Sequence, residues 1–310
     1  MRLIGHPLFK LLTTILLFVF ICLKVDVVEA GKRLLTLPPL FAAAVTAIAF
    51  FALLVQAYKT KILLPERSVG EILRVSIVSQ IYSIVFLGQV GGDIAKAGYL
   101  VRSPAELHRI VAAVVFDRIT GLIGLLVLGL VGLLFNTQHF DPVIAPTLAV
   151  TMALLLTALL AMFFLNDASA AKLLGWLPDR ISRQLRDTVV ATHVFSSSVR
   201  TLVASIAMGI AFQAVVVANC AWLGAGLGID LSLASWAVVI CVMSLVLLLP
   251  ISVGGIGLRD VTLVGLLGGS GVATERALAL SLALLGLQLA MAAVGGILTL
   301  LPYDKPAAED

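Results

Sequence analysis

The sequence predicts an all-α polytopic integral membrane protein, with about seven to eight transmembrane helices and two broken, re-entrant segments. Three observations predict it. Of 310 residues, 61% are hydrophobic and 12% are charged, where soluble domains run at about 45–50% and about 25%. The apolar residues are gathered into runs of the ~20 residues that a bilayer-spanning helix requires. The mean hydropathy is +1.13, and one water-soluble core of this size would leave too little polar surface to face solvent. A soluble enzyme, a disordered chain and a nucleic-acid binder are excluded. The net charge of +4 is read as topology before polyanion binding, because Lys and Arg collect in cytoplasmic loops.

Seven runs are long enough to span: 7–23, 35–58, 110–135, 143–165, 201–223, 232–250 and 277–301. The first follows Arg2 and contains Lys10, and Val28-Glu29-Ala30 loosely fits a cleavage site. Lys24, Asp26 and Glu29 sit between that run and the site, so a retained anchor is favoured over a cleaved signal. Two further stretches, 72–88 and 261–269, are short or broken and adjoin glycine-rich turns.

Basic residues set the direction. Lys59, Lys61, Arg67 and Arg74 form one cluster, and Lys172, Arg180, Arg183, Arg186 and Arg200 another, while loops 136–142 and 224–231 hold none. With both clusters cytoplasmic, the N-terminus is inside. This requires the segment 72–109 to enter and leave on one face, which makes it re-entrant. Broken backbone at membrane depth is tolerated only inside protein or beside a wet cavity.

The chain then reads as one transmembrane domain, 1–310, with a weak internal two-half repeat. The first half is 1–165 with re-entrant 72–109, and the second is 201–303 with re-entrant 250–276. Between them, 166–200 carries Arg180, Arg183 and Arg186 near Leu177, Ile181, Leu185 and Val189. Two readings stand for it: a basic amphipathic helix on the anionic leaflet, or a solvated connector. Residues 304–310 form a short polar tail.

Each broken segment runs apolar residues into a glycine pair with an acid and a base close behind. The first ends Gly88-Gln89-Val90-Gly91-Gly92-Asp93-Ile94-Ala95-Lys96. The second reads Leu249-Pro250-Ile251-Ser252-Val253-Gly254-Gly255-Ile256-Gly257-Leu258-Arg259-Asp260. Glycine permits strained backbone and proline removes a helix donor. Exposed N–H groups at such breaks suit an anion, and matched interruptions in two halves point to a transporter's binding site. Close helix packing on small residues is the bland alternative.

Asp117 and Arg118 lie about 10 Å into the run that starts at Ile110, at 1.5 Å per residue. Charges at such depth face the bundle interior or a cavity and mark a pathway. The two side chains diverge by about 100°, so Arg118 reaches for another acid, with Asp93, Asp260 and Glu275 as candidates. A structural ion pair pinning two helices is the other reading. Gln213 and Asn219 read as interhelical hydrogen bonds. Cys22, Cys220 and Cys241 read as buried apolar residues, and His6, His108, His139 and His193 are scattered singly. No metal and no cofactor is predicted.

These residues carry a family resemblance. The Gly91-Gly92-Asp93-x-x-Lys96 turn, Asp117-Arg118, Gln213 and the stretch from Leu249 to Asp260 resemble the flippase-like transmembrane region of lysylphosphatidylglycerol synthases. The likeness runs from Val25-Asp26 to the last span. Members often have Arg where Lys96 stands and Glu where Asp260 stands, and Lys lacks the bidentate fork that grips a phosphate. The resemblance implies two re-entrant elements facing a cavity and movement of amphiphilic lipids between leaflets. Members are bacterial and archaeal membrane proteins and include stand-alone forms without the aminoacyl-transferring domain, so the resemblance implies a bacterial-type cytoplasmic membrane and does not imply synthase activity.

The leading expectation is translocation of an anionic or polar-headed lipid, whether phospholipid, lipid-linked sugar or hopanoid-type. Gly91, Gly92, Pro250, Gly254, Gly255 and Gly257 would shape the breaks that supply backbone donors. Lys96, Arg118 and Arg259 would neutralise the phosphate, with Asp93, Asp117 and Asp260 orienting them or contacting an amine. A non-catalytic partner of an envelope-lipid synthase is the alternative, and an intramembrane glycosyl or lipid transferase a third. A lipid substrate, and with the second reading a synthase or glycosyltransferase, are the expected partners. Nucleic acid is not.

Overall fold

A computed structural model describes residues 27–85, 89–135, 144–164, 193–249, 252 and 255–301. The first expected span, most of the 166–200 connector, the polar tail, Pro250 and Gly254 lie outside them. Every element among the described residues is helical. The longer helices are α1 (Val27–Leu35), α2 (Pro39–Leu63), α3 (Val69–Val85), α4 (Gln89–Leu100), α5 (Leu107–Phe135) and α6 (Ile144–Ala161). They continue as α7 (Val199–Gly226), α8 (Leu233–Leu247), α9 (Leu258–Gly268) and α10 (Thr274–Leu300). A single 3-10 turn, Pro104–Glu106, leads into α5. The all-α membrane class is the one the composition predicts.

Four helices are long and apolar enough to cross a membrane: α2, α5 with its 3-10 lead-in, α7 and α10. Their starts follow local chemistry. Pro39 opens α2, where a missing N–H costs nothing. Ser198 caps α7 by accepting from the Thr201 N–H, as a helix N-cap does. Two boundaries differ from the sequence reading. Residues 27–35 form a separate helix, and α2 runs on to Leu63, which carries Lys59 inside the span.

The stretch 232–250, which the sequence presents as a full span, holds a shorter helix. The helix α8 has 15 residues, about 22 Å at 1.5 Å per residue, against ~30 Å of hydrocarbon. It packs against α9, and the two form a hairpin. Helices α3 and α4, of 17 and 12 residues, form the other hairpin.

Side-chain contacts fix which way each hairpin enters. Arg67, just past α2, donates to the Leu100 carbonyl at 3.1 Å and to Glu106 at 2.6 Å. Arg102 donates to Glu71 at 2.7 Å. Both mouths of the α3–α4 hairpin therefore sit at the Arg67 end of the molecule. Arg74 bonds the carbonyls of Leu298 and Leu301, which brings the end of α10 there too. Gly226, closing α7, abuts Phe41 at the opposite, Pro39 end. Arg276 at the start of α10 donates to the Gly228 carbonyl at 2.5 Å. Gly132, near the end of α5, abuts Ala234 at the start of α8. The α8–α9 hairpin thus opens at the Pro39 end. The two broken segments enter from opposite ends and meet in the middle, an inverted arrangement of the kind transporters use.

Close helix crossings hold this frame. A Cβ on Gly124 of α5 would lie 2.6 Å from the Gly209 and Ile210 backbone of α7. One on Gly295 of α10 would lie 2.4 Å from the Ile77 carbonyl of α3. Where lipid is as apolar as the protein, such small-residue contacts supply van der Waals association that the hydrophobic effect does not.

Candidate functional site

The hairpin tips and the spans around them enclose a cavity of about 420 Å³. Its charged lining comprises Lys59, Asp93, Lys96, Asp117, Arg118 and Arg259. Apolar residues of α2, α7 and α10, such as Leu53, Val216 and Leu287, complete the wall. Polar and greasy surfaces thus adjoin in one chamber.

The tip of the first hairpin is made possible by glycine. A Cβ on Gly92 would stand 2.1 Å from Ser83 Oγ and 3.1 Å from the Ser79 carbonyl. A side chain at this position would collide with Ser83 of α3. Gly91 beside it is buried. In the second hairpin, Gly255 and Gly257 have φ +80° and +79°, the left-handed region that glycine enters without strain. That turn aims the start of α9 at the cavity.

Asp117 and Arg118 face different partners. Asp117, 6% exposed, stands between two lysines: Oδ1 is 3.4 Å from Lys59 Nζ and Oδ2 3.6 Å from Lys96 Nζ. Lys59 also donates to the Asp117 backbone carbonyl, and Lys96 to Thr60 Oγ1 at 2.9 Å. Lys59 and Lys96 are 2% and 4% exposed. Arg118 instead forms an ion pair with Asp93 and donates to Gln89 Oε1 at 3.1 Å. Of the acids within the sequence reading's reach for Arg118, the structure selects Asp93. Glu275 stands in the first turn of α10, at the Pro39 end.

Two site expectations change. Asp260 does not line the cavity: its carboxylate accepts from the Gly257 N–H at 3.0 Å and from Ser281 Oγ. It caps α9 and ties it to α10, a structural task. Lys59, which the sequence places among loop charges, is a buried member of the site. Arg67 of that cluster is buried as well, 1% exposed and paired with Glu106. A helix that continues past Tyr58 through Lys59 with Gln56 one turn earlier is the signal that could have found it.

Gln288 is the other residue the sequence reading passes over. It sits within α10 and accepts from the Arg259 guanidinium at 2.6 Å. Gln213 donates to the Gly121 carbonyl at 3.4 Å and Asn219 to the Val45 carbonyl at 3.2 Å, both between helices and both on the cavity wall. Among the described residues, no group of three His, Cys, Asp or Glu converges where a metal could sit.

The cavity lining therefore sets four basic side chains against two carboxylates. In a low-dielectric chamber that surplus attracts an anion strongly. The family model described as the lysylphosphatidylglycerol synthase TM region matches residues 8–296. Comparison with curated proteins and with solved structures finds no match. Matched over most of its length, the chain belongs to the lysylphosphatidylglycerol synthase transmembrane-region family.

Proposed function

We propose that this protein takes the anionic headgroup of a membrane lipid into the central cavity and passes it between leaflets. The observation that carries the reading is the cationic surplus at the place where two hairpins from opposite ends meet. A headgroup phosphate in hydrocarbon faces a desolvation cost of the kind that makes a central charged side chain cost about 2.5–3.5 kcal/mol. Arginine and lysine at mid-depth offset that cost. The acyl chains remain against the apolar walls and the surrounding lipid.

The inverted hairpins suit this task. Each tip is anchored to the helix that follows it, by Asp93–Arg118 in one half and Arg259–Gln288 in the other. Loosening one hairpin opens the cavity toward one end while the other remains closed, the alternating-access scheme. In this reading the Arg67 end faces the cytoplasm, because Lys61, Arg67 and Arg74 lie there. Phe163 and Phe195, which flank the second basic stretch, pack on Phe116 in the same half. The membrane is then a bacterial-type cytoplasmic one.

The test is a leaflet assay on labelled phosphatidylglycerol in proteoliposomes. Arg259→Ala and Arg118→Ala should each slow protein-dependent translocation severely. Wild-type rates in both would remove these residues from the mechanism.

A further inference from the structure

Four cations line the cavity, yet they are not equivalent. Lys59 and Lys96 share Asp117, and Arg118 is paired with Asp93. Among the described residues, Arg259 alone of the four has no carboxylate within ion-pair distance, although Asp260 is its chain neighbour. The Asp260 carboxylate is spent on the Gly257 N–H and Ser281. What Arg259 touches is Gln288, a neutral amide, at 2.6 Å. Arg259 and Gln288 both line the cavity.

A neutral acceptor and a carboxylate differ as competitors. A hydrogen bond to a carboxylate is roughly twice as strong as one to a neutral group. An incoming phosphate must break the Asp93 ion pair to take Arg118, but it need only displace an amide to take Arg259. The planar fork of arginine then binds two phosphate oxygens at once. Gly255, in the left-handed region next to this guanidinium, presents no side chain to the approach: a Cβ there would lie 3.7 Å from the guanidinium nitrogen.

Building on the proposed function, we infer that Arg259 is the primary phosphate-binding residue of the cavity. Gln288 is its positioning residue: it orients the guanidinium and, unlike a carboxylate, brings no negative charge. Arg118 with Asp93 is a latch between α4 and α5. The ligand class is a lipid phosphate headgroup, and the two arginine sites differ in that Arg118 has a carboxylate partner, Asp93, beside its amide partner Gln89, whereas Arg259 has the amide Gln288.

That asymmetry can be exchanged. Gln288→Glu gives Arg259 an acid and makes it resemble Arg118. Asp93→Asn takes the acid from Arg118 and makes it resemble Arg259. Binding of fluorescent phosphatidylglycerol to the full chain in nanodiscs of zwitterionic lipid is the readout, with thermal melting as a fold control. Gln288→Glu should weaken binding about tenfold or more, and Asp93→Asn should strengthen it by about threefold or more. Gln80→Glu adds the same charge on another wall and should cost clearly less than Gln288→Glu. Inorganic phosphate at the same concentration should not displace the lipid.

Several results overturn the inference: no binding by wild type, unchanged binding in Gln288→Glu, weakened binding in both exchanged variants, or equal losses in Gln288→Glu and Gln80→Glu. Displacement by inorganic phosphate overturns the lipid assignment. Translocation of the same probe is read separately. Binding without translocation rejects the transport reading and leaves this inference standing. Translocation that Gln288→Glu does not slow does the reverse.

Discussion

The Asp117 carboxylate stands between two buried ammoniums, 3.4 Å from Lys59 and 3.6 Å from Lys96. The three side chains come from α2, α4 and α5, so one acid joins a span, a hairpin arm and the helix that follows it. Its removal and the removal of one lysine are not equivalent. Asp117→Asn leaves two nearly inaccessible cations without a counter-charge, a loss of about 3–5 kcal/mol. Lys59→Met leaves a one-to-one pair of Asp117 with Lys96 and should cost about 1–2 kcal/mol, the range of a lost hydrogen bond. Thermal unfolding in detergent measures both, and the reverse order would contradict the assignment of Asp117 as the shared counter-ion.

The first hairpin tip depends on contact with a side chain, which a second substitution can relieve. Gly92→Ala meets Ser83 Oγ and should cost about 1–3 kcal/mol by overpacking. Adding Ser83→Ala should recover most of that loss. Gly124→Ala meets the Gly209–Ile210 backbone instead, and no side-chain truncation on α7 should rescue it. Melting of the single and double variants decides the matter; a Gly92 variant that Ser83→Ala leaves unimproved would refute this packing.

Exposure separates the ion pairs at the hairpin mouth. Arg67 is buried and bonds both Leu100 and Glu106, so Arg67→Met should cost about 2–3 kcal/mol, as expected when a charged hydrogen-bond partner is lost. Arg109 pairs with Glu66 at 3.0 Å, but its side chain is 47% exposed. Arg109→Met should therefore cost under about 1 kcal/mol. Limited proteolysis across residues 101–106 should accelerate in the first variant and not in the second.

At the second hairpin, Asp260→Ala removes the acceptor for the Gly257 N–H and for Ser281. A lost cap costs about 0.5–2 kcal/mol. Hydrogen exchange should rise in the first turn of α9 before it rises elsewhere. A uniform rise along α8 and α9 would deny Asp260 its capping role.

Much of this was legible because membrane chains concentrate their information in few polar residues. The broken segments announce themselves by glycine pairs inside apolar runs. The divergence of Asp117 from Arg118 follows from helical geometry alone, and the shortage of acids narrows the partner of Arg118 to Asp93, Asp260 or Glu275, among which only the fold selects Asp93. Tertiary facts were not legible. Lys59 reads as a loop charge because apolar density ends at Tyr58, whereas the partner that draws it inward lies 58 residues away. Gln288 lies in an apolar helix and gains meaning only when α9 folds Arg259 against it. The stretch 232–250 has the composition of a span, whereas the helix within it is only 15 residues long. That the hairpins enter from opposite ends emerges only from contacts such as Arg102–Glu71 and Arg276–Gly228.

The central claim is that the protein itself moves an anionic lipid through this cavity. The most direct measurement is the reduction kinetics of NBD-labelled phosphatidylglycerol in sealed vesicles with and without the purified chain, using an impermeant reductant. The account predicts a second, protein-dependent phase that exposes inner-leaflet label and is faster than the same phase with labelled phosphatidylcholine. A trace that stops at the outer-leaflet fraction, as in protein-free vesicles, would contradict it.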